Sequence, residues 1–302
     1  MTSGPLPRFS RGLRYMVAGA FFFALMSALV KMTGTRFPTM EIVLARSLVV
    51  LAIAWLTLRR LGVPVRGRRR GLLLLRGSLG FVALTSFYYA VIRLPLADVT
   101  VIQYTNPVFT AIFAAVAIGE GLRRREMALA LVAMTGVIIM VRPAFLFGGD
   151  LSALPALPAG VALVGAVFSA AAYVTVRFLG RGGGDGTGER EHPVVIVWWF
   201  ALVSTIGSAP FLALDFVLPR GTDWLLLLGV GVTTHLGQLF LTLGLREERA
   251  GRAMAVAYLQ IVFAGFWGLL LFSEVPDVWT GVGALVIVLS TWWVGRERRA
   301  RR

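Results

Sequence analysis

The sequence contains no cysteine, only two histidines, and 15 acidic residues against 30 basic ones. The missing cysteines exclude a disulfide framework and thiolate chemistry. Charged residues make up 15% of the chain and hydrophobic residues 57%, with a mean hydropathy of +0.79. This composition excludes an ordinary soluble domain and is typical of a chain that lies in lipid.

Long apolar runs recur along the whole sequence, and their connections are too short to contain a soluble domain. Each run is close to the roughly 20 residues that a helix needs to cross about 30 Å of hydrocarbon. We therefore predict an all-α integral membrane protein with ten transmembrane helices. Their predicted bounds are Tyr15–Lys31, Glu41–Leu58, Gly77–Ile92, Asp98–Gly119, Met127–Val141, Pro158–Phe178, Val194–Leu214, Trp224–Leu245, Ala253–Phe272 and Val278–Val294.

The basic residues indicate how these helices are oriented. Loops rich in lysine and arginine stay in the cytoplasm, and a cytoplasmic N-terminus places 23 of the 30 basic residues on that side. Both termini are thus predicted to be cytoplasmic, in a bacterial inner membrane, and the basic segment 1–14 is expected to be retained. The glycine-rich stretch Gly182–Gly188 is predicted to be a flexible linker. Because the arginines fall in short bursts between apolar runs, they do not indicate nucleic-acid binding.

The second half of the chain repeats the first. Matched positions are Lys31 with Arg177 and Gly34 with Gly180 at an offset of 146, and Tyr104 with Tyr258 and Glu120 with Glu274 at an offset of 154. We predict two repeats, residues 1–150 and 151–302, of five helices each. Because five is odd, the second repeat enters the membrane from the opposite side, and the halves are related by a two-fold axis in the membrane plane. Such inverted repeats predict a carrier that works by alternating access.

Three stretches resemble one transporter family. They are Tyr89–Asp98, Asn106–Ala111 with the following Gly119–Glu120, and Glu41–Arg46. Together they are similar to the EamA family of the drug/metabolite transporter superfamily, over nearly the whole chain. The resemblance implies a ten-helix carrier with a central cavity between its halves, which moves amino acids, nucleotide-like metabolites, organic acids or similar compounds, often outward. The second repeat departs from the pattern, since Gln260-Ile261 stands where the first has Asn106-Pro107.

Polar residues inside a span are candidates for the transport route, because burying them is costly unless they face protein, water or a ligand. The fourth span is the richest: Gln103, Asn106 and Thr110 share one helix face, and Pro107 is expected to kink the helix and release the carbonyl of Gln103. The alternative is that the two amides only bond neighbouring helices.

Other spans supply the remaining candidates for substrate binding. They are Arg46, Tyr88, Tyr104, Trp199, His235, Gln238, Tyr258 and Gln260. Each aromatic side chain has a structural alternative, as packing or, for Trp199, as an interfacial anchor. Arg46 is expected either to bind an anion or to act structurally, by snorkelling or by pairing with Glu41. Arg76 is expected at the inner membrane surface.

The distribution of acids limits how transport is driven. No carboxylate falls at the predicted midplane, which disfavours proton antiport through a central acid. His235 is the only mid-span group that titrates near neutral pH, so facilitated diffusion or exchange is the default and coupling through His235 the alternative. No metal site, cofactor or obligate protein partner is predicted; the expected partners are a small-molecule substrate and the lipid bilayer.

These features predict a secondary transporter that exports an amino acid or a similar zwitterionic or neutral compound. The alternative is uptake or exchange of nucleotide-like or anionic metabolites, such as S-adenosylmethionine or organic acids. A neutral substrate is preferred because an anion cavity is expected to show more than one buried arginine. A membrane-embedded enzyme is the remote alternative, since paired acids within a span and a histidine cluster are both missing and no catalytic residue is predicted.

Overall fold

The computed structural model describes residues 10–94, 96–121, 123–147, 155–181 and 190–296, and every regular element in these ranges is helical. The glycine-rich stretch, the first nine residues and the C-terminal arginines after residue 296 lie outside the described residues. The first half contains α1 (Arg11–Thr33), α2 (Thr39–Arg60), α3 (Arg70–Arg93), α4 (Leu96–Gln103), α5 (Asn106–Ile118), α6 (Arg124–Val141) and the short α7 (Ala144–Phe147). The second contains α8 (Ala156–Arg181), α9 (Pro193–Ser208), a 3₁₀ turn (Ala209–Ala213), α10 (Asp223–Glu247), α11 (Ala250–Ala257), α12 (Leu259–Phe272) and α13 (Val278–Arg296).

Nine stretches in the described part of the chain are long and apolar enough to cross a membrane. They match the predicted spans apart from the fifth. That span, Met127–Val141, lies within α6, whose 18 residues begin with the charged Arg124, Arg125 and Glu126. The charged first turn shortens the apolar part of α6. The protein is therefore a multi-pass, all-helical membrane protein, as expected where each backbone hydrogen bond has to be satisfied within the chain.

Helices of the two halves pack against each other in matched pairs. The α1 helix packs on α10 and α3 on α8, while α2 packs on α9 and α6 on α13. In the repeat, α1 corresponds to α8 and α3 to α10, so the first two contacts are the same contact made twice. The other two join a helix to its own counterpart. This is the pairing expected of two repeats related by a two-fold axis, and the main apolar core accordingly draws on both halves.

Two predicted spans are interrupted at equivalent positions. Between α4 and α5 the helix breaks at Tyr104 and Thr105, and between α11 and α12 it breaks at Tyr258. Pro107 lies in the first turn of α5, where its missing N–H leaves no helical bond unmade. The second break has Ile261 in the equivalent position. Proline therefore accompanies one interruption, and the other forms without it.

The α5 and α12 helices also end in the same way. Each terminates in a left-handed residue, Gly119 with φ 64° and Ser273 with φ 55°. The N–H of Gly119 bonds to the carbonyl of Ala114, and that of Ser273 to the carbonyl of Gly268. Glycine adopts this conformation without the steric cost that a Cβ atom brings. The second repeat thus carries a strained residue where the first has a relaxed one.

Replacing Ser273 with glycine is expected to stabilise the protein by about 0.5–1 kcal/mol, because the left-handed backbone no longer meets a Cβ atom. The melting temperature of the purified protein in detergent measures the effect. Gly119→Ser, which introduces the same strain in the other repeat, should lower that temperature. A fall with Ser273→Gly, or no change with Gly119→Ser, would contradict this account.

Candidate functional site

The two helix interruptions meet where the halves face each other. The rings of Tyr104 and Tyr258 stack with centroids 5.7 Å apart and 24° between their planes. The Tyr258 hydroxyl donates to the backbone carbonyl of Tyr104 at 3.0 Å. In a regular helix that carbonyl would accept the N–H of Val108, which here bonds to the carbonyl of Thr105 at 3.0 Å. The interruption thus frees a backbone acceptor, and the opposite half satisfies it.

Several side chains near this contact stay partly accessible. Tyr104 and Tyr173 are both half-buried and pack against the same apolar core. Gln103 and Gln238 are half-buried as well. Both halves therefore contribute polar and aromatic side chains to the same interior region.

The two amides of the fourth span keep unused hydrogen-bonding capacity. Gln103 donates through Nε2 to the hydroxyl of Ser169 on α8 at 3.2 Å, while its Oε1 is buried without a partner. Asn106 is 8% exposed, and its Oδ1 also has no partner. Thr110 is sealed from solvent and donates to the carbonyl of Asn106 at 2.7 Å. Bonding to a neighbouring helix thus accounts for one polar atom of Gln103, and two amide oxygens remain available.

Arg76 does not lie at the membrane surface, and that expectation is wrong. Its side chain is 2% exposed, and Nη2 donates to Oε1 of Gln238 on α10 at 3.0 Å. The guanidinium lies 4.3 Å from the ring centroid of Phe200 on α9. Nε and Nη1 are buried without a hydrogen-bond partner. The apolar residues before Arg76 suggested the end of a span, whereas α3 already begins at Arg70, about 9 Å away along the helix axis.

Arg46 is a second buried arginine that meets no carboxylate within the described part of the chain. It is 5% exposed, and Nη1 contacts Sδ of Met26 at 3.8 Å, while Nε has no partner. Oε2 of Glu41 instead accepts the backbone N–H of Val217 at 3.0 Å. The structure therefore supports neither snorkelling nor a pair with Glu41. It also contradicts the expectation of a single buried arginine, on which the preference for a neutral substrate depended.

His235 and Gln238, the two candidates on α10, have different surroundings. His235 is 5% exposed, and its Nδ1 has no hydrogen-bond partner among the described residues. Gln238 holds Arg76 as described. At Gly231 an added Cβ atom would lie 2.4 Å from Cβ of Val49. This glycine therefore allows the close approach of the α2 helix.

The other candidate side chains are Trp199, Tyr88 and Gln260. Trp199 donates through Nε1 to the carbonyl of Val65 at 3.1 Å, which ties it to the loop between α2 and α3. Tyr88 is half-buried beside Phe87, with ring centroids 5.9 Å apart. Gln260 is half-buried in the first turn of α12. The contact of Trp199 agrees with the anchoring role considered for it.

A buried ion pair closes the end of the bundle that is predicted to be cytoplasmic. Arg177 and Glu120 approach to 2.8 Å, with side chains 7% and 4% exposed. Glu120 also accepts the N–H of Ala250 at 2.8 Å, and Arg181 lies 3.3 Å from it. Arg177 further donates to the carbonyls of Leu245 at 2.9 Å and Arg246 at 2.8 Å. The pair thereby joins the ends of four helices, α5, α8, α10 and α11.

The equivalent pair at the opposite end is exposed. Lys31 and Glu274 are in ionic contact, with side chains 53% and 56% exposed. In the repeat, Lys31 corresponds to Arg177 and Glu274 to Glu120, so the partners are exchanged between the halves. The repeat matches these residues, but their pairing was not predicted from the sequence. The sequence did carry a signal for it, because both repeats have a basic residue at the first matched position and a glutamate at the second.

Comparison with known proteins agrees with the fold and its duplication. The EamA-like transporter family matches twice, over residues 10–142 and 157–296. The pseudopaline exporter CntI of Pseudomonas aeruginosa is 34% identical over 289 residues, covering 95% of this chain and 97% of the exporter. The human solute carrier family 35 member G1 is 32% identical, covering 92% of this chain and 77% of its own. A crystal structure with a TM-score of 0.81 and 17% identity covers 98% of this chain and 100% of that protein, and it supports the fold alone. The chain is a membrane transporter, not an enzyme, and it belongs to the EamA-like transporter family.

Proposed function

We propose that this protein is a secondary transporter that exports a small metabolite across a bacterial plasma membrane by alternating access. In this proposal α6 completes ten spans, the two five-helix halves are inverted, and both termini are cytoplasmic. The excess of arginine in alternate connections supports the orientation. Outward transport is supported by similarity to a relative that is named an exporter.

The observation that carries the proposal is the unequal burial of two equivalent ion pairs. Glu120–Arg177 is sealed inside the protein, whereas Lys31–Glu274 is exposed. Exchange of conformations between the two halves would expose Glu120–Arg177 and bury Lys31–Glu274, and both pairs are formed here. We infer from the unequal burial one of two nearly equivalent states, closed at the end proposed to be cytoplasmic. The matching packing of α1 on α10 and of α3 on α8 supports the same exchange.

Transport by exchange or facilitated diffusion fits the interior better than proton coupling through an acid. The buried carboxylates of the described chain, such as Glu41, Glu120 and Glu248, belong to residues at helix ends. His235 stays the alternative coupling group. The candidate substrates stay those considered from the sequence: an amino acid or a similar zwitterionic or neutral compound, and alternatively a nucleotide-like compound or organic acid.

The test measures the labelling of a single introduced cysteine, Ser169→Cys, because the chain has no cysteine of its own. Ser169 lies near the middle of α8 beside Gln103, and Ser169→Cys is nearly isosteric. A membrane-impermeant maleimide is applied to membrane vesicles of either orientation. We expect faster labelling from the outside in the otherwise unchanged protein, and Glu120→Gln should shift the preference to the cytoplasmic side, because it weakens the buried pair.

Two further variants make this result interpretable. Lys31→Gln removes the equivalent cation at the other end and should leave the outward preference in place or increase it. Arg181→Gln weakens the contacts of Glu120 while keeping Arg177, and it replaces Glu120→Gln in the comparison if that variant does not fold. Labelling that is absent from both sides, or a side preference that neither gate variant changes, would rule out alternating access through this interior.

A further inference from the structure

We propose that Arg76 and Gln238 form the part of the transport site that binds a carboxylate group, so that the exported metabolite is an organic acid anion. This inference rests on the proposed function and specifies its substrate class. It selects the anionic alternative over the neutral one. Arg76 supplies the positive charge from the first half, and Gln238 orients it from the second.

The first step is the charge balance of the interior. The described chain buries four arginines: Arg46, Arg76, Arg177 and Arg252. Arg177 pairs with Glu120, and Arg252 lies 3.1 Å from Glu248. Among the described residues, neither Arg76 nor Arg46 has a carboxylate partner. A buried arginine always carries its charge, and burying that charge without a counter-ion is strongly unfavourable. An anionic ligand would supply the missing negative charge.

The second step is the direction of the free donors. Nη2 of Arg76 is occupied by Gln238, and the face of the guanidinium is covered by the ring of Phe200. Nε and Nη1 remain without an acceptor. Nε–H and Nη1–H lie on different edges of the planar guanidinium, so each would donate a single charge-assisted hydrogen bond to a carboxylate oxygen. The contacts to Gln238 and Phe200 therefore hold the side chain in place and leave its donors for a ligand.

The third step is the space around the guanidinium. At Gly80, one turn along α3, an added Cβ atom would lie 2.5 Å from Nη1 of Arg76 and 2.8 Å from the Phe200 ring. The glycine thus makes room for the arginine inside its own helix. Gln238, which holds the guanidinium, is half-buried, whereas Arg76 itself is almost fully enclosed. The proposed ligand therefore has to reach the guanidinium when the two halves move apart.

The fourth step concerns transport itself. Arg76 belongs to the first half, whereas Gln238 and Phe200 belong to the second. When the halves move relative to each other, the contacts of the guanidinium have to change. A carboxylate bound to Arg76 is then held differently in the two states, which is the differential interaction that couples a ligand to a conformational change.

The experiment measures melting temperatures of the purified protein with defined ligands. Acetate, succinate and propane-1,2,3-tricarboxylate are the anionic probes, acetamide and succinamide their neutral counterparts, and inorganic phosphate a different anion, each as a sodium salt or at matched sodium chloride. We expect at least one carboxylate to raise the melting temperature by several degrees while its amide does not, since a ligand of the native state stabilises it.

Variants assign the effect to Arg76. Arg76→Gln should abolish the carboxylate shift and raise the melting temperature of the ligand-free protein, because it removes an uncompensated buried charge; a purely structural arginine would give the opposite change. Arg60→Gln, which removes an exposed arginine at the same end of the membrane, should leave the shift intact. If Arg76→Gln does not fold, Phe200→Leu keeps the charge, loosens the side chain and should reduce the shift.

Three outcomes would overturn the carboxylate site. These are amides that stabilise as well as acids, a carboxylate shift that survives Arg76→Gln, or an Arg76-dependent shift with phosphate that exceeds the one with every carboxylate. None of them changes the labelling of Ser169→Cys from the two sides of the membrane. The substrate class and alternating access can therefore fail separately.

Discussion

Glu120→Gln is expected to lower the melting temperature of this transporter far more than Glu274→Gln does. The first removes the acid of a sealed pair and leaves Arg177 as a buried cation, which costs about 3 kcal/mol. The second removes the acid of a pair that is more than half exposed, and pairs of this kind contribute roughly 0–1 kcal/mol. Thermal unfolding of the three purified proteins in one detergent measures the difference.

The two substitutions are matched by the repeat itself. They replace the same residue type by the same residue type, at positions 154 residues apart, each after the left-handed end of a helix. Glu120 also accepts the N–H of Ala250, so replacing it affects this hydrogen bond as well as the charge. Equal effects of the two substitutions would show that the burial of the pair does not determine its contribution, and would remove the main support for a state closed at the cytoplasmic end.

Gly283→Val is expected to destabilise the protein by about 3 kcal/mol or to prevent its folding, because α6 and α13 approach at this point with no room for a side chain. An added Cβ atom would lie 2.5 Å from the carbonyl oxygen of Gly136 and 2.7 Å from the backbone nitrogen of Met140. Both are backbone atoms of α6, so the helices would have to separate. Yield of monodisperse protein and its melting temperature are the measurements.

Gly281→Val is the control for this prediction. Gly281 lies on the same helix two residues earlier, and an added Cβ atom there meets nothing within 4 Å. The side chain would point away from α6, so the melting temperature should stay nearly unchanged. If the two valine variants behave alike, the close contact between α6 and α13 does not hold the two halves together, and helix propensity explains the result instead.

The α6–α13 contact also bears on the movement of the halves. It joins two helices that are counterparts in the repeat, and the hydroxyl of Ser290 donates to the carbonyl of Leu129 across it at 2.6 Å. Backbones that touch this closely have little freedom to slide. We infer that relative motion of the halves occurs mainly around α4–α5 and α11–α12, where the helices are interrupted and the ion pairs lie.

Much of the architecture follows from local properties of the sequence. Runs of about 20 apolar residues have few alternatives to helices in a membrane, so most spans were placed within a few residues of the observed helices, although the third was predicted to begin at Gly77 and begins at Arg70. Interruptions were harder to foresee. Pro107 indicated the first, but nothing local to Tyr258 indicates the second. That break is accompanied by a hydrogen bond to a carbonyl in the other repeat, which no pattern within α11 or α12 reveals.

The residues of the candidate site were likewise predicted only in part from the sequence. Gln103, Gln238 and Arg46 were singled out because polar groups deep in a span are costly, and this reasoning needs only their positions along a helix. Arg76 was misplaced because a residue near the end of an apolar run can turn either outward to the headgroups or inward to the bundle. Its contact with Gln238 lies 162 positions along the chain. The choice between the two directions depends on a helix of the other half.

The sequence by itself determined the helical class, the family, the duplication and the orientation expected from its arginines, because hydrophobic length, repeated motifs and charge act residue by residue. The tertiary structure alone decided which charges are neutralised. In the folded chain Arg177 is buried against Glu120, Lys31 and Glu274 are exposed, and Arg76 is enclosed without a counter-ion among the described residues. Burial and pairing depend on which helices meet, and that is a property of the folded chain as a whole.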